Sequence, residues 1–224
     1  MYTPPMFKPD RAAALAFAQA RGFGTVCAWD GHKPVASSLP FYLSHADDGT
    51  LLALFHVARH NPLVKLADAV TPWVLAVNGT DAYVTPDWYV SVDQVPTWLY
   101  QAVHLTGSVR TLSDEELVVQ IDTLSAKFEN RMAPKKPWTS AKMTAARLEA
   151  LKKGIVGFSM QVEDVEGSFK LNQHKSEADY AAVANGLAAL PDAGSQSIAQ
   201  LMRDVRPQAF AATTNATATL EGSM

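Results

Sequence analysis

The sequence predicts a mainly β chain with flanking helices, its strands closing into an antiparallel barrel. Three observations carry this expectation. Before Arg110 there are about six short apolar, β-branched or aromatic runs, separated by turn signals in hairpin and meander order. No β-α-β alternation interrupts them, which argues against a doubly wound parallel sheet. Helical periodicity takes over only from Ser113.

In chain order, Asp10 is the expected cap of a first helix, whose apolar residues Ala14, Leu15, Phe17 and Ala18 recur at helical spacing until Gly22 and Gly24. A strand over Phe23 to Trp29 follows, and Asp30-Gly31 supplies positive φ for a hairpin to a return strand over Pro34 to Leu43. After the turn-like Ala46-Asp-Asp-Gly49, a third strand, Leu51 to Phe55, runs into His56-Val-Ala-Arg-His-Asn-Pro62. Pro62 suits the first turn of a helix with Asn61 as its cap, so Leu63 to Ala69 is expected to be helical. Arg59 then stands at a helix N-terminus, a ready anion site for which phosphate is the obvious ligand. A solvated arginine is the alternative.

Next come a strand over Trp73 to Asn78, a tight turn at Gly79 to Asp81, and a strand through Tyr83. This last strand opens the stretch Tyr83 to Gly107, around which the chain is organised. Tyr83, Trp88, Tyr89, Trp98 and Tyr100, five of the chain's eleven Trp and Tyr residues, fall within eighteen positions. Pro86 and Pro96 bracket a polar run that cannot be a central strand, so a shaped loop is expected there. Rings with a polar handle on a stiff loop suit a planar ligand, a dimer partner or plain core packing.

Ser113-Asp-Glu-Glu116 is a capping box, and Leu117, Ile121, Leu124 and Phe128 form an apolar stripe behind it. A second helix is expected over about Ser140 to Lys153, then a last strand over Ile155 to Val165. A second capping box, Ser176 to Asp179, opens a helix through about Leu190, and the segment from Asn215 is expected to fray.

A formal charge of −3 and a pI near 6.0 give no general attraction to nucleic acid or to an anionic membrane. Cys27 is the one cysteine, so no intrachain disulfide can form and a reducing compartment fits. No apolar stretch approaches the roughly 20 residues that span a bilayer, and no signal-peptide pattern opens the chain. The expected location is cytoplasmic, with no membrane partner. Between Lys127 and Lys153 eight Lys or Arg stand against two Glu, a footprint for weak DNA contact or simply a solvated helix face. His56 and His60 have the spacing of two metal ligands, but Pro62 breaks the helix they would need and no third ligand is in place, so no metal is expected. Nothing reads as a nucleophile elbow, a phosphate-binding glycine loop or a dinucleotide fingerprint. His104 reads as a core or interface histidine.

Six ordered blocks carry a resemblance: M-Y-T-P-P-M-F at the start, A-S-S-L-P-F-Y, H-V-A-R-H-N-P, Y-V-T-P-D-W-Y, V-P-T-W-L-Y-Q-A-V-H-L-T-G and F-K-L-N-Q-H-K-S-E-A-D. Together, over roughly Met1 to Leu190, they resemble the PaiB-type FMN-binding negative transcriptional regulators of the pyridoxamine-phosphate-oxidase-like superfamily. The resemblance implies an antiparallel FMN-binding split β-barrel that forms a homodimer, with FMN at the subunit interface. Residues 1–190 would form that domain, with a helical insertion at about 113–153, and residues 191–224 a C-terminal helix and flexible tail. Leu99 and Asn172-Gln-His-Lys depart from the family pattern, which commonly has asparagine and S-Q-N-R there.

FMN needs a phosphate site, polar contacts for the flavin edge and an apolar slot for the ring. Arg59 and Asn61 suit the phosphate, and His56 belongs to the same element. Ser37 and Ser38, on the strand expected to face it, are candidates for phosphate or flavin. Trp98, Tyr100 and Gln101 would line the ring from across the interface, and Lys170 resembles a family lysine after the last strand. Two functions follow: a non-enzymatic flavin-binding regulator, or a flavin-dependent oxidoreductase of the same superfamily. The absence of a nameable acid–base pair beside the ring favours the regulator.

Overall fold

Asp30 and Gly31 set the first hairpin. The Asp30 carboxylate accepts hydrogen bonds from the backbone N–H groups of His32 and Lys33, both at 2.8 Å, and Gly31 takes a φ of +98°. Strands β1 (Phe23–Trp29) and β2 (Pro34–His45) therefore pair antiparallel, with Trp29 opposite Pro34 and Phe23 opposite Pro40. The computed structural model describes residues 1–211. Strands β3 (Leu51–Ala58), β4 (Pro72–Val84), β5 (Thr97–Thr111) and β6 (Ile155–Lys170) complete a closed barrel in the order β1-β2-β3-β6-β5-β4. The last strand in sequence thus enters beside β3, antiparallel, with Ala58 opposite Ile155. Helices α1 (Arg11–Arg21), α2 (Asp114–Glu129), α3 (Ala145–Lys152), α4 (Glu177–Ala188) and α5 (Ala193–Val205) flank the strands in sequence. The mainly β, antiparallel barrel with flanking helices is as the sequence predicts.

The chain divides into two compact units. The first comprises Arg11–Val77 and Val103–Glu166. Its core follows from period-two alternation: Val26 and Ala28 of β1, Leu39 and Phe41 of β2, Ala53, Phe55 and Val57 of β3, and Trp73, Leu75 and Val77 of β4 are all buried. The Phe158 ring lies 5.6 Å from those of both Phe55 and Trp73. At roughly 1.5–3 kcal/mol for each large side chain buried, these rings dominate the unit's stability. A Cβ on Gly107 would run into the Gln161 carbonyl, which leaves no residue but glycine at that crossing of β5 and β6. The Ser113–Glu116 capping box forms in full at the start of α2.

The second unit comprises Met1–Asp10, Asn78–Ala102 and the chain from Gly167 onward. Its core joins Leu99, Leu171, Tyr180, Val183, Leu187 and Met202. The family departure at Leu99 is thus a fully buried core position, where an asparagine would need a partner. Buried Tyr180 donates its hydroxyl to the Met202 carbonyl at 2.9 Å, and burial pushes its pKa up to about 12.

Four local expectations are corrected. Gly79 to Asp81 is no turn, since β4 runs unbroken through it. The buried positions change there from odd (Trp73, Leu75, Val77) to even (Ala82, Val84), because each end of the strand turns one face to the core of its own compact unit. Leu63 to Ala69 is no helix: Pro62–Lys65 makes a single 3₁₀ turn, and Ala69 takes a φ of +61°. The helix expected over Ser140 to Lys153 begins only at Ala145, because extended Met143 ends a short 3₁₀ turn and Thr144 supplies the cap. Ser176 accepts from the Asp179 N–H, but the Asp179 carboxylate takes the backbone N–H groups of Val90 and Ser91 and not that of Ser176, so the second capping box is half formed. The segment from Asn215 lies outside the described residues.

Candidate functional site

Asn61 fixes the polarity of the strongest candidate. Its Oδ1 accepts from the Leu63 N–H at 3.0 Å as the cap of the 3₁₀ turn, which leaves Nδ2 to donate to Ser37 Oγ at 2.8 Å. The acceptor side of Ser37 is thereby engaged, and its hydroxyl hydrogen remains to be given elsewhere. On the neighbouring register, Ser38 Oγ lies 3.0 Å from Thr25 Oγ1, a pair in which one hydroxyl must donate and the other keeps its hydrogen.

Arg59 follows β3 directly. Its Nε donates to the Lys153 carbonyl at 2.5 Å and its Nη2 to the Ile155 carbonyl at 2.9 Å. Two of the guanidinium's five N–H groups are thus spent on backbone and three are not. Among the described residues no carboxylate pairs with it. The charge is oriented but not neutralised. A dianionic phosphate asks for this donor set: an oriented guanidinium, a hydroxyl with its hydrogen left to donate and no competing acid. The dipole of a helix plays no part, because the turn after Asn61 is a single 3₁₀ turn.

His56 does not join this group. Strand alternation puts it on the face of β3 opposite Phe55 and Val57, where its Nδ1 lies 3.2 Å from Oε1 of the buried Gln120 on α2. Burial holds its pKa below the usual imidazole value, with the Gln120 bond opposing.

The remaining candidates belong to the second compact unit, and they separate there. Trp98 is 53% exposed, meets Tyr83 edge to face at 6.0 Å, and lines a cleft of about 520 Å³ with Tyr83, Thr85 and Trp88. Tyr100 shares the Trp98 face of β5, and its hydroxyl lies 3.5 Å from Ser168 Oγ. Gln101 is half-buried on the other face. Lys170 donates to Thr97 Oγ1 at 2.7 Å and lines a different cleft.

Two features escaped the sequence reading. The buried Asp179 carboxylate holds Val90 and Ser91, although its three-residue spacing from Ser176 signalled only a cap. Asn172, also buried, takes a φ of +59° and donates to the Tyr89 hydroxyl at 2.9 Å. Asparagine's tolerance of that conformation is the only signal the sequence offered.

The basic stretch is largely committed to the fold. Lys127, Arg131 and Lys142 donate to the carbonyls of Gln19, Ala20 and Pro137, and Lys135 and Lys152 pair with Glu129 and Glu149. Five of its eight cations are therefore engaged internally, which weakens the case for a nucleic-acid face.

Residues 1–164 match the family described as "Putative FMN-binding domain". Over 205 residues the chain is 34% identical to the Bacillus subtilis protein "Protease synthase and sporulation protein PAI 2", covering 91% of this chain and 97% of that relative. The chain belongs to the PaiB-type FMN-binding family. Another relative of this PaiB-type protein is the uncharacterized protein AN0679 of Emericella nidulans, 28% identical, with 75% of this chain and 81% of the relative covered. Among solved structures, the FAD and heme binding protein of Mycobacterium smegmatis aligns with a TM-score of 0.52 at 15% identity, over 72% of this chain and 71% of that one. The conserved hypothetical protein Rv2991 of Mycobacterium tuberculosis aligns at 0.50 and 12% identity, over 75% and 90%. Those two likenesses establish the split-barrel fold of the PaiB-type chain.

Proposed function

We propose that this PaiB-type protein binds FMN through Arg59, Ser37 and Asn61 at the phosphate, with Ser38 beside them, and acts as a flavin-dependent negative transcriptional regulator. The observation that carries the site is the Arg59 guanidinium, oriented by two backbone carbonyls and left without a carboxylate among the described residues. FMN, when bound, supplies a two-electron redox centre. The chain's part is to grip the phosphate with Arg59, to offer the Ser37 hydrogen to an acceptor, and to keep Asn61 fixed behind it.

The working unit is a cytoplasmic homodimer in which the Tyr83–Gly107 stretch of one protomer completes the flavin slot of its partner, Trp98, Tyr100 and Gln101 lying against the ring. The exposure of Trp98 and Tyr83 supports this, since large rings on a protein surface are enriched at interface cores. No helix among the described residues is long and apolar enough to cross a membrane. Direct DNA contact is confined to the 127–153 stretch and is weak and salt-sensitive, in the range of roughly 10⁻⁴ to 10⁻⁶ M that phosphate contacts alone provide.

Titration of the protein with FMN and with FAD tests the cofactor, with stoichiometric FMN binding expected and tighter FAD binding counting against it. The visible spectrum after adding NAD(P)H tests the role. A regulator keeps its flavin oxidised over minutes, whereas rapid bleaching would identify an oxidoreductase.

A further inference from the structure

Lys170 and Lys175 both line a cleft of about 310 Å³ in the second compact unit. Each ammonium is held by neutral partners. Lys170 Nζ donates to Thr97 Oγ1 at 2.7 Å, while Lys175 Nζ donates to Gln94 Oε1 at 2.6 Å and lies 5.1 Å from the centroid of the Tyr89 ring. Among the described residues no carboxylate stands within ion-pair distance of either lysine. Since an ammonium carries three donors, both keep N–H groups to spare. His174 lines the same cleft, and its pKa is held down first by burial and then by the charges of Lys175 and Lys170. Basic groups that repel one another around a concavity, with no internal counter-ion, leave a potential that an anion relieves.

The walls are built in advance. Asn172 is 1% exposed and is tied to the Tyr89 hydroxyl. Gln173 accepts from the Leu171 N–H at 2.7 Å and donates to the Phe169 carbonyl at 2.5 Å, and Arg206 donates to the Lys175 carbonyl at 2.9 Å. A loop braced in this way loses little freedom when a ligand arrives. Apolar surfaces from Met6, Phe7 and Val95 line the same cleft, with the Phe7 ring edge-on to His174 at 5.4 Å. The volume is at the small end of ligand pockets, which run from roughly 300 to 1,000 Å³.

The geometry points to a binding site for a small organic anion, a carboxylate carried on a flat one-ring apolar body, built from residues other than those at the flavin phosphate. Lys170 and Lys175 read the charge, and Phe7 and Val95 receive the body. This site does not rest on the flavin reading, and Trp98 lines a different cleft.

Calorimetric titration of the FMN-loaded full chain with benzoate, benzamide and inorganic phosphate tests it, with FMN content measured in the same samples. Benzoate is expected to bind, and benzamide, of the same shape without the charge, to bind at least about tenfold more weakly. Lys175→Met should lower benzoate affinity about tenfold or more while FMN content stays at the parent level. Equal affinity for benzoate and benzamide, or no benzoate heat at all, would overturn the anion site. Phosphate binding as tightly as benzoate would overturn the apolar body. Loss of FMN from the Lys175→Met variant would assign the cleft to the flavin instead. The benzoate and benzamide comparison uses the parent protein, so it decides the matter even if a variant folds poorly.

Discussion

The Asp179 carboxylate takes both the backbone N–H and the hydroxyl of Ser91, at 2.9 and 2.7 Å, and a third bond from the Val90 N–H at 2.8 Å. A buried acid on α4 thus fastens the segment that follows Trp88 and Tyr89, 88 residues earlier in the chain. Backbone N–H groups outside the strand ladder need acceptors, and this one buried side chain serves two of them.

The fastening is pH-dependent. The bonds from Ser91, followed by those from Ser176 and Val90, hold the Asp179 pKa below its ordinary 3.8. Because the folded value is depressed, the stabilisation is complete above the unfolded pKa and is lost as pH falls through the folded one, below about pH 4. Asp179→Asn should lower the melting temperature at pH 7, and the gap from the parent should narrow at about pH 3. An equal gap at both pH values would show that the charge contributes nothing.

For Arg59→Ala we expect FMN affinity to fall by roughly one to two orders of magnitude, the cost of one charge-assisted hydrogen bond. Riboflavin, which lacks the phosphate, should bind the parent more weakly and be nearly indifferent to the change. Stability without flavin should drop by about 1 kcal/mol, because the carbonyls of Lys153 and Ile155 lose their donor. Arg59→Lys should recover only part of the affinity. Equal weakening of riboflavin and FMN would mean that Arg59 shapes the pocket and does not read the phosphate.

A methyl group at position 186 would meet the Trp88 indole, with Cδ2 only 2.6 Å from the new Cβ. Helix propensity alone would favour Gly186→Ala by roughly 1 kcal/mol. Displacing a rigid ring costs roughly 1–3 kcal/mol, so a net loss is expected in denaturant unfolding. Combined with Trp88→Ala, the same change should cost much less, because the clash has been removed. A single variant more stable than the parent would show that the ring yields freely.

Trp98 is predicted to be an interface anchor. Trp98→Ala should weaken self-association by about 30-fold or more, the loss of a side chain worth at least about 2 kcal/mol at an interface. Sedimentation at several concentrations reads this directly. A parent protein that sediments as a flavin-competent monomer would remove the homodimer from the account.

The barrel was legible because its alternation is regular: Phe55 and Val57, or Trp73, Leu75 and Val77, can only face inward together. Asn61 was legible too, since Asn before Pro is local chemistry with one dominant outcome. The length of the element after it was not, because a 3₁₀ turn and a helix begin with the same residues and part only after Lys65, where the turn ends. Gly79-Thr-Asp misled for a related reason. Turn residues also serve inside a strand whose buried face changes. Long-range partners were out of reach altogether: Asp179 looked like a cap, and only the fold could bring Ser91 to it. The same holds for Lys175 and Gln94, 81 positions apart.

The change of buried face in β4 makes chain length between Val77 and Ala82 a structural variable in its own right. Before it odd-numbered side chains are buried, and after it even-numbered ones. Removing one residue from Asn78–Asp81 would leave every remaining side chain chemically intact. It would nonetheless rotate Ala82 and Val84 out to water, and bring Asp81 or Tyr83 into the space they vacate. Tolerance to length here is therefore set by parity: a single-codon deletion would exchange the inside of the second unit for its outside.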